Sequence, residues 1–278
     1  MSSLPQVTRY TFFAGLPQTC RVALVTDLHD QDGQGVLEVL RREQPDLICI
    51  AGDLLERNYH WVSTPEDQAE YEFYYLHNLT PRQRRFNRML HWWYDHVLPQ
   101  RAPEERNGGM EFLQAAVRLA PVCYATGNHE WFLQEADRSE IRATGAFLLE
   151  NSACQPFPHL WVGGLPTRQD PDWLGAFCAK KGFRLLLCHH PEYYDWIIKG
   201  HPQRTPDLIL SGHAHGGQWR FFGRGIYAPG QGFLPAYTHG LYDGRLLVSA
   251  GCVQTSPIPR FGNPPEVVLM ELLAAPHR

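Results

Sequence analysis

Residues 207–218 read DLILSGHAHGGQ, an apolar strand-like run that leads into two histidines enclosed by glycines. Residues two apart in an extended chain point to the same side, so His213 and His215 can converge just past the strand. Imidazole is the commonest metal-ligating side chain near neutral pH, and glycine lets the backbone turn sharply and come close to a ligand. A chain with 14 histidines also pairs some of them by chance. The prediction of a metal site therefore depends on matching residues elsewhere in the chain.

Four more apolar runs end in polar residues of the same kind. They are followed by Asp27-Leu28-His29, Gly52-Asp53, Gly127-Asn128-His129-Glu130 and His189-His190. Unbroken hydrophobicity is typical of strands buried on both faces, and strand, helix and strand over residues 20–51 predict a parallel pair. Ligands bind at the carboxyl ends of strands in open α/β sheets. The pattern therefore predicts one site built from five strand ends, although a single Asp after a strand can also cap the next helix.

The chemistry of these side chains indicates which ions the site would take. Carboxylates, imidazoles and an amide oxygen suit Mn, Fe, Zn or Co better than Ca or Mg. One aspartate can bridge two such ions at about 3.5–4 Å, the geometry of two-metal phosphoester hydrolysis.

Taken together, these motifs resemble those of the calcineurin-like metallophosphoesterase superfamily, over residues 21–218. The stretches 216–218, 232–233 and 255–266 are similar to its YkuE/YaeI-like branch. The resemblance implies an α/β fold, a four-layer αββα sandwich of two central mixed sheets flanked by helices, as a single domain over residues 1–278. It also implies hydrolysis of phosphodiester, phosphomonoester or pyrophosphate bonds by metal-activated hydroxide, with two divalent or trivalent transition metal ions.

The resemblance also implies a role for each residue. One metal would be held by Asp27, His29, Asp53 and His215, and the other by Asp53, Asn128, His189 and His213. His129 would contact the phosphate and assist the leaving group. His189 is favoured over His190 because the family ligand directly follows the strand; His190 is expected at the cleft rim or in solvent, and the reverse assignment stays open.

Four residues are weaker candidates for substrate contact: Arg57, Asn58, Glu130 and His190. Arg57 and Asn58 fit a surface role equally well, and Glu130 fits the start of a helix near its positive end. Residues 56–112 are rich in charge and aromatics, with helices expected near 66–78 and 81–97. This segment is predicted to be a helical insertion or cap, acting either as a substrate wall or as simple packing. It is longer than the resemblance leads us to expect, so substrate preference is not inherited.

The remaining pattern predicts further elements. We expect an edge strand over residues 6–14 and two strands of a second sheet at 147–148 and 160–164. Helices are expected over 35–44, 110–119, 131–144, 172–181 and 193–199, and late strands over 244–250 and 266–272.

Composition limits the partners. The net charge of −4 and the lack of a basic stripe outside residues 82–88 argue against nucleic acid as a partner, so a nuclease is a lesser alternative. A non-catalytic scaffold is the other alternative, but it would normally have lost ligands. Seven scattered cysteines without a CxxC motif indicate reduced, buried thiols. We find no secretory pattern and no membrane-span-length apolar run. We therefore expect a soluble, cytoplasmic protein with a small phosphoester substrate, and the aromatic segment 71–94 leaves room for peripheral membrane association.

Overall fold

The computed structural model describes residues 4–57, 80–85, 88–89, 107–254 and 260–276. Among these residues, the helices of eight residues or more are α1 Gln34–Glu43, α2 Gly108–Ala116, α3 Glu135–Ala143 and α4 Pro171–Cys178. Its strands are β1 Gln6–Leu16, β2 Cys20–Val25, β3 Leu47–Ala51, β4 Val122–Ala125, β5 Phe147–Leu149, β6 Ser152–Phe157, β7 Leu160–Leu165, β8 Phe183–Cys188, β9 Leu208–Ser211, β10 Arg220–Phe221, β11 Arg224–Gly225, β12 Tyr227–Ala228, β13 Gly232–Phe233, β14 Gly240–Tyr242, β15 Leu246–Val248 and β16 Glu266–Ala274.

Two mixed sheets of six strands each form the centre of the fold. The first has the order β1-β16-β2-β3-β4-β5, and only the β16–β2 pair is antiparallel. The second has the order β14-β15-β9-β8-β7-β6, in which the outermost pair at each edge is antiparallel. The expected edge strand near the N-terminus is confirmed as β1, and the late strand β16 lies between β1 and β2.

The two sheets pack face to face. Side chains alternate along a strand, so Leu24 and Cys49 of the first sheet point away from the helices. They share a buried cluster with Leu187 and Leu210 of the second sheet. This inner layer is shielded from water on both sides, which explains why the strands are continuously apolar in sequence.

The outer faces of both sheets are covered by helices. Ile50 of β3 packs in a second cluster with Leu40 of α1 and Phe112 of α2, and Leu186 of β8 packs in a third with Phe177 of α4. The layers are therefore helix, sheet, sheet, helix, and the predicted αββα metallophosphoesterase architecture is confirmed. All seven cysteines are free thiols, and six of them are buried.

Some elements differ from the sequence prediction. Phe147–Leu149 pairs with β4 in the first sheet and not, as predicted, in the second. The chain changes sheet only after Asn151, whose φ of 43° makes a tight turn into β6. Strand β6 was missed because its run SACQPF lacks an apolar pattern. The short helix expected over 193–199 is a π-helix over Tyr194–Ile198.

The predicted insertion 56–112 lies mostly outside the described residues. Residues 81–85 are helical, as the sequence suggested for 81–97, whereas the helix expected at 66–78 falls outside the described part. The end of the predicted segment belongs to α2, which begins at Gly108 and contributes Phe112 to the core. No helix among the described residues is long and apolar enough to cross a membrane.

Candidate metal centre

The loops after β2, β3, β4, β8 and β9 meet where the two sheets adjoin. Hydrogen bonds tie them together across the sheets: the His213 amide donates to Oδ1 of Asp27 (3.1 Å), and Nδ1 of His189 lies 2.7 Å from the Ala51 carbonyl oxygen. Within the first sheet, the His29 amide donates to the Asp53 carbonyl at 2.9 Å, and within the second the Gly212 amide donates to the His189 carbonyl at 3.1 Å. The five strand ends singled out in the sequence are therefore brought into one place.

One group of candidate ligands consists of Asp27, His29 and His215. Nε2 of His29 lies 4.0 Å from Oδ1 of Asp27, and Nε2 of His215 lies 3.8 Å from the same oxygen. One nitrogen or oxygen from each residue lies within 4.8 Å of the other two. Donors around a single ion, each about 2.0–2.2 Å from it, have separations only slightly shorter than these.

A second group consists of Asp53, His189 and His213. Nε2 of His189 lies 3.0 Å from Oδ2 of Asp53, and the rings of His189 and His213 have centroids 5.1 Å apart. Because Nδ1 of His189 faces the Ala51 carbonyl, Nε2 is the nitrogen left for an ion. Asn128, on the loop after β4, has its amide oxygen buried in the protein.

Asp53 belongs to the second group and also lies next to His29 of the first. Its Oδ2 is 3.8 Å from Nε2 of His29 and 3.8 Å from Nε2 of His129, in addition to its contact with His189. A carboxylate in this place can face two ions at once.

The ligand loops adopt an unusual backbone. Asp27, His29, Asp53, His213 and His215 all have positive φ, between 46° and 65°. The left-handed region costs a non-glycine residue roughly 1–2 kcal/mol, and such conformations concentrate at functional sites. The fold therefore holds these five side chains in place at an energetic cost that folding alone does not require.

Several polar atoms at the site fit a cation. Oδ2 of Asp27 and Nε2 of His29 are buried and make no hydrogen bond to any described residue. Buried polar atoms are nearly always hydrogen-bonded, so a cluster of unbonded ones needs a further partner. A metal ion supplies that partner for carboxylate oxygens and imidazole nitrogens alike.

The electrostatics of the site also favour a bound cation. Burial opposes ionisation of Asp27 and Asp53, but neighbouring imidazoles, His189 above all for Asp53, outweigh it and lower both carboxyl pKa values. Burial lowers the pKa of His215 to about 3 and that of His213 well below its ordinary value. On His189, the same burial effect is outweighed by Asp53 and Asp27, which raise its pKa to about 9. Ionised carboxylates beside the neutral imidazoles of His213 and His215 favour a cation between them.

Glu56 is a site residue that the sequence analysis missed. Its Oε1 lies 2.5 Å from Nδ1 of His29, and its Oε2 lies 2.8 Å from Nδ1 of His129. An ionised carboxylate only accepts hydrogen bonds, so both Nδ1 atoms donate and both Nε2 atoms are left free to face the site. Burial opposes ionisation of Glu56, but His129 and His29 hold its pKa well below the ordinary range. Its place three residues after Asp53 was the available signal.

His190 is not at the cleft rim, as had been expected, but buried. Its Nε2 lies 2.8 Å from the Thr167 hydroxyl, and its Nδ1 lies 3.4 Å from Oε1 of Glu192. The same Glu192 oxygen is 3.7 Å from Nε2 of His213. Glu192 was also missed in the sequence; it places a buried carboxylate behind a candidate metal ligand.

The weaker substrate candidates have different surroundings in the structure. Glu130 is buried, and its carboxylate accepts from the Asp53, Leu55 and Gly127 amides (2.9, 2.8 and 2.6 Å) and from the Tyr124 hydroxyl (2.7 Å). It therefore fixes the two loops and is fully engaged by protein donors, instead of facing a substrate.

Arg57, another of these candidates, makes an ion pair with Asp30 at 2.7 Å and a longer one with Asp137 at 3.4 Å. These carboxylates hold its guanidinium against neighbouring loops. Asn58 lies outside the described residues.

Comparison with known proteins identifies the class. The family model of the calcineurin-like phosphoesterases matches residues 20–217, more than half of the chain. The chain therefore belongs to the calcineurin-like phosphoesterase family, as the sequence motifs suggested. Its residues can form metal-binding clusters of Asp and His, and the family assignment makes it a metallophosphoesterase-type hydrolase.

Two relatives come from Bacillus subtilis (strain 168). The uncharacterized protein YpbG is 24% identical over 264 residues, which cover 90% of this chain and 80% of YpbG. The uncharacterized metallophosphoesterase YkoQ is 26% identical over 179 residues, 58% of this chain and 64% of YkoQ, slightly less than two thirds of that relative. Placement in the YkuE/YaeI-like branch stays a prediction.

Among solved structures, the chain is similar to the sulfate thiohydrolase SoxB of Thermus thermophilus in complex with glycerol. The match has 11% sequence identity and a TM-score of 0.41, and covers 95% of this chain and 58% of that one.

Proposed function

We propose that the protein is a dinuclear metal-dependent phosphoesterase that hydrolyses small phosphodiesters, phosphomonoesters or pyrophosphates. The observation that carries the proposal is that Asp53, a member of the group Asp53–His189–His213, also lies 3.8 Å from His29 of the group Asp27–His29–His215. When bound, a pair of transition metal ions (Mn, Fe, Zn or Co) would polarise the phosphoester and lower the pKa of a water near it. Asn128 would complete the second group.

His129 is suited to handle a proton at the leaving group. Its side chain is 32% exposed, whereas those of His29, His189 and His213 are almost completely buried. Glu56 holds its Nδ1, so Nε2 faces the open side next to Asp53. Burial lowers the pKa of His129, but Asp53 and Glu56 outweigh it and raise the pKa to about 10. In its protonated form, His129 can donate to the departing oxygen.

Neither alternative is favoured by a specific observation. A non-catalytic scaffold does not account for carboxylates and imidazoles kept in left-handed backbone around unbonded polar atoms. A nuclease would be expected to carry a basic surface, whereas the net charge here is −4. The cytoplasmic location and the absence of a nucleic-acid partner remain expectations from the sequence.

The test is a metal-reconstituted screen on bis-p-nitrophenyl phosphate, p-nitrophenyl phosphate and nucleotide-sugar pyrophosphates, with elemental analysis of the purified protein. We expect two metal ions per chain and turnover of at least one substrate class. Asp53→Ala should lose metal and activity together. One metal per chain, or full activity in Asp53→Ala, would contradict the dinuclear proposal.

A second variant separates the proton donor from the ligands. His129→Asn should retain both metals and lose about 10²–10⁴-fold in kcat, the usual contribution of a general acid. His201→Ala is a matched control, because His201 directly precedes the short 3-10 helix Pro202–Arg204 and belongs to none of the ligand groups. Equal kcat in His129→Asn and His201→Ala would remove His129 from the mechanism.

A further inference from the structure

Six large apolar side chains are exposed on segments near the candidate metal centre. We name this set the aromatic ridge, and its exposed fractions are Trp219 43%, Phe221 48%, Phe222 105%, Phe233 48%, Leu234 62% and Phe261 61%. Single exposed hydrophobic residues are ordinary, but several together on a folded protein usually mark a surface that meets a partner or a membrane. Phe222 is at the turn of the β10–β11 hairpin, where its side chain is fully exposed.

The members of the ridge are connected to one another. The rings of Phe221 and Phe261 lie 5.4 Å apart, and the Arg220 amide donates to the Phe261 carbonyl at 2.9 Å. Leu234 is tied in through Ile226, because its amide donates to the Ile226 carbonyl at 2.8 Å and the Ile226 amide donates to the Trp219 carbonyl at 3.0 Å. The exposed side chains therefore stand on one hydrogen-bonded ribbon.

The segments that carry the ridge contain few acidic residues. The chain as a whole has 29 acidic and 25 basic residues, yet residues 208–242 contain no Asp or Glu and include Arg220 and Arg224. Residues 80–89 are similar, with four arginines and no acidic residue. The Gln83 side chain, within this arginine-rich segment, donates to the Gln231 carbonyl at 3.0 Å and so places it beside the ridge ribbon. An acidic protein thus presents basic residues around its largest described group of exposed aromatics.

The same ribbon reaches the metal centre. Gly230 lies two residues before β13 begins, and a methyl group on its Cα would lie 3.0 Å from Nε2 of His213 and would collide with the Glu192 carboxylate. A surface bound by the ridge is therefore bound close to the candidate ligands.

We propose that the aromatic ridge docks the protein on an anionic membrane surface. Phe222 and its apolar neighbours enter the boundary between headgroups and acyl chains, while Arg220, Arg224 and the arginines of residues 80–89 face the anionic headgroups. Aromatic side chains prefer this boundary, and binding of such a surface adds buried apolar area to attraction between basic side chains and anionic lipid. A protein partner would not require the basic border, which is why we favour a membrane.

The test is vesicle co-sedimentation with the full chain, using phosphatidylcholine alone and phosphatidylcholine mixed with phosphatidylglycerol. We expect binding to the mixed vesicles, weak binding to phosphatidylcholine and loss of binding at high salt. Phe222→Ser should weaken binding about tenfold or more, from the burial of one aromatic ring. Arg220→Gln with Arg224→Gln should weaken it about fivefold for each arginine.

Matched controls keep the result interpretable. Phe13→Ser removes another exposed aromatic (68%) on the edge strand β1, and Arg41→Gln with Arg118→Gln removes two exposed arginines away from the ridge. These should bind like the unaltered protein, and Phe222→Ser should retain its melting temperature and its turnover of soluble substrate. Equal vesicle binding by Phe222→Ser and Phe13→Ser overturns the proposal. So does a protein that ignores anionic vesicles but forms dimers that Phe222→Ser disrupts.

Discussion

Replacing Glu56 by Gln tests the idea that one carboxylate aligns a metal ligand and the proton donor together. Glu56 accepts from Nδ1 of both His29 and His129, at 2.5 and 2.8 Å. The Gln side chain offers one acceptor oxygen and a donating amide, so at least one imidazole must lose its partner. A hydrogen bond to a charged group contributes about 1.5–3 kcal/mol, which corresponds to roughly 10–100-fold and agrees with the usual effect of removing a residue behind a metal ligand.

The two imidazoles affect different measurements. Loss at His29 should weaken metal binding about tenfold or more, as measured by titration of the metal-free protein. Loss at His129 should lower kcat at saturating metal. Because Glu56 helps to raise the pKa of His129, its replacement should lower that pKa. Because His129 acts in its protonated form, kcat should fall as the pH rises through its pKa. In Glu56→Gln this fall should occur at a lower pH than in the unaltered protein.

Two further variants serve as controls for Glu56. Glu140→Gln removes an exposed carboxylate on α3 and should change none of these measurements. Glu56→Asp keeps the charge but shortens the side chain, so it should retain only one of the two contacts. If Glu56→Gln has the metal affinity, kcat and pH profile of Glu140→Gln, then Glu56 does not align either histidine.

Three other predictions address the surroundings of the site. Gly230→Ala should weaken metal binding more than Gly244→Ala; both have φ near +66° (67° and 66°), but only at Gly230 does a methyl group collide with the site. Equal affinities would show that only backbone strain matters. Glu130→Ala should lower the free energy of unfolding, measured in urea, by about 3–5 kcal/mol, because three amides and a hydroxyl lose a buried acceptor; a loss under 1 kcal/mol would exclude Glu130 as the link between the loops. Glu266→Gln should lower the free energy of unfolding by about 1–3 kcal/mol at neutral pH. Burial raises the Glu266 pKa, but the effect of His239 is larger and the net shift is downward. Such a carboxylate stabilises the fold above its ordinary pKa and loses this effect as the pH falls through the lowered value. The difference in free energy of unfolding between Glu266→Gln and the unaltered protein should therefore shrink in acid. A difference that does not change with pH would refute this prediction.

Much of the fold could be predicted because the signals are local. Buried parallel strands require continuous apolar runs, and these runs end at the residues that line the site, as at Asp27 and His213. Short elements were less predictable. Phe147–Leu149 is apolar enough for either sheet, and only its pairing with β4 decides the matter. Strand β6 is held by its partner and not by its own composition.

By itself, the sequence determined the chemistry: which side chains follow the strands, the family whose motifs they match and the αββα class. Only the tertiary structure decided which of them meet. It joins His213 to Asp27 across two sheets, sets Asp53 of one ligand group next to His29 of the other and puts Glu56 behind both His29 and His129. The physical reason is that the end of a strand is determined by residues adjacent in sequence. Which strand ends come together depends on sheet order and on left-handed turns, and these are fixed by contacts between residues far apart in the chain. The aromatic ridge is likewise a property of the folded surface, since exposure cannot be read from a run of aromatics alone.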